Sequence, residues 1–144
     1  MKVELIDVMG DDLRVAYIAG LIDADGCLSI NKVGEGRYAP SLSFVNTSTV
    51  LIELVQKEFG GFIHKKKKVS DNHADVYELN IRESLPLLKA TAELIPFLIF
   101  KEKKARLVHE YAASIYLNGG KKLSKGVVKE RLEILKRWEK VNEV

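Results

Sequence analysis

Two carboxylates, Asp23 and Asp25, stand at the end of an apolar stretch and are followed at once by Gly26. Residues 12–24 place Leu13, Ala16, Tyr17, Gly20, Leu21 and Ala24 at three- and four-residue steps, the period of a helix. Both carboxylates therefore fall at that helix's C-terminal end, where the dipole disfavours negative charge. A cation beside them would relieve the conflict. A few hard oxygen donors suit magnesium, which usually shares its shell with phosphate oxygens. Gly26 and a polar-faced strand follow Asp25, so its carboxylate can point towards whatever binds that strand. The plainer reading of Asp25 is a helix-terminal turn residue. Gly20 inside a helix costs about 1 kcal/mol against Ala. With Ala16 and Ala24 four residues to either side, it makes a small-residue stripe that lets another helix approach closely.

The elements around this helix end follow from periodicity. Residues 27–33 alternate, with Leu28 and Ile30 against Cys27, Ser29 and Asn31. Gly34-Glu35-Gly36 is a turn. Residues 37–45 alternate again, with Leu42 and Phe44 against Arg37, Ser41 and Ser43. Asn46-Thr47-Ser48 offers helix caps before Leu51, Ile52, Leu54, Val55 and Phe59, and Gly60-Gly61 closes that helix. A second hairpin spans about 62–68 and 76–82, with Tyr77, Leu79 and Ile81 opposite Glu78, Asn80 and Arg82. Ser84 and Pro86 open another helix that stops before Pro96. Two more helices span about 98–117 and about 125–142. The class is α+β, an α-β-β-α-β-β-α core with antiparallel β-hairpins and additional C-terminal helices.

Helices must cover the apolar faces of the strands. The opposite faces carry Ser29, Asn31, Arg37, Ser41, Ser43, His64, Lys66, Lys68, Glu78, Asn80 and Arg82. That surface is either an ordinary solvated sheet or one that presents side chains to base edges in a major groove. Arg suits guanine and Asn suits adenine; lysines suit phosphates. Glu78 would accept from a cytosine amine or balance charge.

Composition limits the alternatives. The 144 residues suit one domain over 1–144, with a core of about 12–117 and a helical extension of about 121–144. At 47% hydrophobic and 30% charged, the chain is not disordered. The net charge is only +3, but Lys65–Lys68, then Lys101, Lys103, Lys104 and Arg106, then Lys121, Lys122, Lys125 and Lys129 form basic clusters. Such clusters are either solvated surface or a footprint for an anionic partner. The run Leu94 to Phe100 contains Pro96 and is far shorter than the roughly 20 residues of a membrane span. Asp7, Asp11 and Asp12 precede any apolar stretch, unlike an ordinary secretory signal. Cys27 is the single cysteine, which excludes an internal disulfide and a Cys-cluster zinc site; its expected place is the core. His64 and His73 have no third ligand at metal spacing. An intracellular soluble protein, of cytoplasm or organelle matrix, is the expectation. Trp138, Leu132, Leu135 and Val141 are expected to pack the last helix.

The segment Ile18-Ala19-Gly20-Leu21-Ile22-Asp23-Ala24-Asp25-Gly26 resembles the LAGLIDADG signature of homing endonucleases, with Ile18 for the usual leucine. The segment from Pro96 to Ala105 resembles the one after the second hairpin in single-motif members, where a lysine at the position of Lys101 belongs to the active site. The resemblance implies a saddle of sheet that binds double-stranded DNA, and site-specific hydrolysis of both strands. A single motif implies a homodimer through this helix, with Ala16, Tyr17, Gly20, Leu21, Asp23 and Ala24 at the interface. The two Asp25 residues then meet across a twofold axis, and the target is pseudo-palindromic. Asp25 and the Ala24 carbonyl would hold Mg²⁺, or Mn²⁺ or Ca²⁺ in the same site.

The resemblance also assigns further roles. Lys101 would stabilise the phosphate or tune the attacking water; otherwise it is a first-turn surface lysine. Asn46 stands where relatives place a glutamine, and either positions a water or caps a helix. Lys103 is a phosphate-contact candidate. Asp23 is expected to cap backbone amides, at the helix end or across the dimer. Relatives can carry a basic residue where Thr49-Val50-Leu51 has none, a departure that touches the surroundings of the site. The expected setting is a free-standing or intron-encoded protein of a mobile element. The alternatives are an RNA maturase or a non-cleaving nucleic-acid-binding protein of the same fold.

Overall fold

The computed structural model describes residues 10–68 and 70–142; Asp7 and the last two residues of the expected extension lie outside the described residues. Helix α1, Asp11–Asp25, buries Val15, Ile18, Ala19 and Ile22 along one stripe. Arg14 ties its first turn to the chain elsewhere, reaching Asp11 at 2.6 Å and Glu58 at 2.7 Å. Strands β1 (Gly26–Gly34) and β2 (Arg37–Asn46) form the first hairpin. Helix α2, Thr49–Phe59, opens on Ser48, whose hydroxyl accepts from the Leu51 amide. Strands β3 (Phe62–Lys66) and β4 (Val76–Ile81) form the second hairpin. Then come α3 (Ser84–Leu94), a 3-10 turn (Ile95–Phe97), α4 (Glu102–Asn118) and α5 (Lys125–Asn142).

The two hairpins join into one four-stranded antiparallel sheet in the order β1-β2-β4-β3. The seam pairs Leu42 with Ile81 and Phe44 with Leu79. Pro40 lies outside this seam, where its missing amide takes no bond from the β2–β4 ladder. Leu28, Ile30, Leu42, Phe44, Leu79 and Ile81 share the covered face and are all buried. They form one cluster with Ile18 and Ile22 of α1, Ile52 and Val55 of α2, Leu87 of α3, Val108 of α4 and Ile134 of α5. The other face of the sheet is the open one.

Three expectations need correction. Cys27 is exposed, not buried. It stands opposite Ser43, so period-two alternation puts it on the polar face despite the type's usual preference for the interior. The long helix begins at Glu102 rather than near residue 98, because Asp23 holds the amides of Ile99, Phe100 and Lys101 outside it. Leu132 is 54% exposed and does not pack; Ile134 is the buried residue of α5. Leu135, Trp138 and Val141 do pack against the core. Lys104 lies over the Trp138 ring at 5.9 Å, and Arg131 donates to the Ser114 hydroxyl at 2.8 Å. Among the described residues, no helix is long and apolar enough to cross a membrane.

Candidate functional site

The helix end and the open sheet face meet at Asp25. It is the last residue of α1, exposed, and directly followed by the first strand. A methyl at Gly26 would lie 2.8 Å from the Ile22 carbonyl oxygen, so the chain can leave the helix this abruptly only at glycine. Asn46, the last residue of β2, donates Nδ2 to Asp25 Oδ2 at 3.4 Å. Its Oδ1 accepts from the Ser48 amide at 2.8 Å, which orients the side chain. The cap of α2 is therefore Ser48 rather than Asn46, which braces the residue that caps and touches Asp25.

Asp23 is placed differently from Asp25. Its carboxylate accepts from the backbone amides of Ile99 (2.8 Å), Phe100 (3.1 Å) and Lys101 (3.0 Å). It is thus satisfied within its own chain. Lys101 returns the contact: its ammonium donates to the carbonyls of Ile22 (2.9 Å), Asp23 (3.0 Å) and Gly26. Ile22 and Asp23 lie in the last turn of the helix, the Ile22 carbonyl also accepting from the Gly26 amide, and a cation there opposes the dipole. Lys101 thus places a cation at the helix end, held by backbone carbonyls rather than by the carboxylates. The structure brings Asp23, Asp25, Asn46 and Lys101 together from three points in the sequence.

The outer face of α1 is open. Tyr17 is 45% exposed, Gly20 and Ala24 are exposed, and Ala16 and Leu21 are half-buried. A methyl at Gly20 would meet nothing within 4 Å. No close approach among the described residues calls for the glycine.

Across the sheet, the β1–β2 half is polar and mostly uncharged. Ser29 and Ser41 face each other with their hydroxyls 2.8 Å apart, and Asn31 donates to Ser29 at 3.2 Å. Ser43 lies between Cys27 and Asn80. Arg37 is exposed at the hairpin end, its guanidinium lying against Gly34. The β4–β3 half is charged and paired. Glu78 takes His64 at 3.1 Å, Lys66 at 4.0 Å and the Asn80 amide at 3.0 Å. Asn80 is buried, and its Nδ2 is also 3.4 Å from His64 Nδ1. Lys68 and Lys65 hold Asp75 at 3.1 and 3.3 Å and keep its carboxyl below the usual carboxylate range. Arg82 is exposed just beyond β4.

Lys103 stands apart from the sheet. It lines a cleft of about 560 Å³ with Ile95, Arg106, Arg137 and Lys140, and no strand residue lines that cleft. Residues on the open face that the sequence reading did not offer as contacts include Cys27, Val45 and Phe62. Each is paired by register with a polar neighbour, Ser43, Glu78 and Asn80 respectively. The alternation itself held the signal, but residue type argued against it.

Comparison with known proteins agrees with this architecture. Residues 12–94 match the family described as the LAGLIDADG-like domain, and the chain belongs to that family. Its fold is that of solved homing endonucleases. The homing endonuclease I-CvuI, in complex with its target in the presence of calcium, superposes with a TM-score of 0.62 at 21% identity, over 93% of this chain and 98% of that one. The archaeal intron-encoded homing endonuclease I-Vdi141I, complexed with DNA, gives 0.66 at 23% identity, over 89% and 86%. The LAGLIDADG meganuclease I-CpaMI, bound to uncleaved DNA, gives 0.65 at 18%, and this chain spans 42% of that one. No curated protein matches the chain by sequence.

Proposed function

We propose that this chain is a site-specific double-stranded DNA endonuclease, of the mobile-element kind, that hydrolyses phosphodiester bonds in a pseudo-palindromic target as a homodimer. One observation carries the reading: an exposed helix-end carboxylate, Asp25, left with one long hydrogen bond, opens directly onto a polar antiparallel sheet face. Strands of this kind fit the major groove. I-CvuI and I-Vdi141I, which share the fold, are complexes with DNA.

The donor set fits a divalent cation shared with other molecules. Asp25 and the Ala24 carbonyl are hard oxygen donors suited to Mg²⁺. Among the described residues no three His, Cys, Asp or Glu side chains gather into a metal cluster. The remaining ligands would therefore be phosphate oxygens, water and the Asp25 of a second copy. The open stripe of Gly20 and Ala24 is where that copy would pack. Bound there, the ion would act as a Lewis acid and lower the pKa of a bound water. This chain's own groups do the rest. Asn46 fixes one oxygen of Asp25, and Lys101 locks the helix end and keeps positive charge beside the scissile phosphate. Asp23 locks the segment that carries Lys101.

The test is selection from randomised duplex DNA with Mg²⁺ for the wild type and Asp25→Asn. The expected result is a cut, pseudo-palindromic site for the wild type, which Asp25→Asn binds without cutting. If neither protein enriches a duplex, the endonuclease reading fails, and structured intron RNA is the ligand to try on the same sheet.

A further inference from the structure

Phe62 is 71% exposed and is the first residue of β3. Its partner across the ladder is Asn80, whose partner on β2 is Ser43, whose partner on β1 is Cys27. Residues paired across antiparallel strands stand on the same face. Phe62 therefore ends a transverse row on the open, polar side of the sheet. Its neighbour Asn80 has the side chain that would read an adenine. Asn80 is only 8% exposed, however, and its amide is committed to Glu78 and His64. At the β3 end of this row the group presented to a ligand is a phenyl ring.

That ring is also well placed by its backbone. Gly60 and Gly61 adopt φ of +82° and +102°, which other residues avoid. A methyl at Gly61 would fall 2.6 Å from the Asn80 carbonyl oxygen, so β3 begins hard against β4. Gln56 donates to the Gly61 carbonyl at 3.2 Å and pins the turn from α2. A large apolar side chain held this firmly in water suits a partner that covers it.

We infer that Phe62 is a specificity-determining residue that makes apolar contact with the 5-methyl group of one thymine in each half-site. The inference rests on the endonuclease reading. Its chemistry is specific, because the thymine methyl is the apolar group among the base edges of the major groove. Most other side chains on this face hydrogen-bond or carry charge, and the apolar Val45 and Val76 are half-buried where Phe62 is exposed.

The experiment uses the full-length chain and the site recovered by selection. Each half-site thymine is replaced in turn by deoxyuridine, which removes the methyl and keeps every hydrogen bond. Binding is measured with Ca²⁺ for wild type, Phe62→Ala and Phe62→Leu. Wild type should lose about fourfold at one position per half-site, the size expected for one buried methyl group. Phe62→Ala should not distinguish the two bases there, and Phe62→Leu should keep part of the preference. Phe62→Ala that retains the full thymine preference overturns the inference while leaving the endonuclease reading intact. So does a wild type indifferent to deoxyuridine at every position, or a Phe62→Ala loss equal for both bases, as an inserted wedge would give. Failure to recover any site removes both readings.

Discussion

The C-terminal end of α1 and the β3–β4 hairpin both crowd carboxylates beside cations, yet they leave different groups open. In the hairpin Asp75 and Glu78 are both paired. Asp75 takes Lys65 and Lys68, and Glu78 takes His64, Lys66 and Asn80. Exposed pairs of this sort contribute little to stability, so they shape the surface more than they hold the fold. At the helix end, Asp23 and Lys101 satisfy backbone groups of each other's segments. Asp25 is left with Asn46 at 3.4 Å. A carboxylate without a strong partner, surrounded by satisfied neighbours, is where an external cation gains most.

The contrast can be broken in graded steps. Asp25→Asn should have the largest effect on activity: cleavage falls by about a thousandfold or more, from the several kcal/mol a metal site supplies. Binding in Ca²⁺ should change far less, as a cleavage assay run beside a binding assay would report. Equal loss in both assays would make Asp25 a structural residue. Asp23→Ala should have the largest effect on stability, about 1–3 kcal/mol, because backbone amides lose their acceptor. Urea unfolding checks this, with Asp25→Asn expected within about 0.5 kcal/mol of wild type. If the two variants unfold alike, the division between the carboxylates is wrong.

The hairpin should respond more mildly. Glu78→Gln releases His64 and Lys66 to phosphates. Affinity for non-specific duplex should rise a few-fold, and the slope of log K against log salt should steepen by about one. A flat response would mean these side chains never reach DNA. Asp75→Asn should be the smallest change. The hydrogen bond from Lys68, and then that from Lys65, depress the folded pKa of Asp75. Its contribution is present above the unfolded carboxyl pKa and fades as pH falls through the lower folded value. Asp75→Asn should therefore melt slightly below wild type at pH 7 and level with it once Asp75 is protonated in both states. A gap that widened on acidification would reverse the sign.

Much of this contrast was legible before any coordinates. The helix ending at Asp25-Gly26, the alternation of the strands and the open polar face all follow from local periods of 3.6 and 2, which adjacent residues specify by themselves. The small-residue stripe on α1 is legible in the same way. Two facts were not, and a third was present in the alternation but masked by residue type. Lys101 is more than seventy residues from the carbonyls it holds. Asn80 shares a face with Ser29 and Asn31, yet neighbours cover it and take its amide. Phe62 and Cys27 sit among polar groups against the preference of their type.

The sequence by itself determined the elements, the face each residue takes and the position of Asp25 at a helix end, because short-range geometry sets all three. The tertiary structure alone decided which carboxylate stays open, which polar side chains are already partnered, and that the two hairpins join through β2 and β4 into one surface. Those outcomes depend on pairings between distant segments. Their energies come from long-range hydrogen bonds and shared burial, which no local pattern encodes.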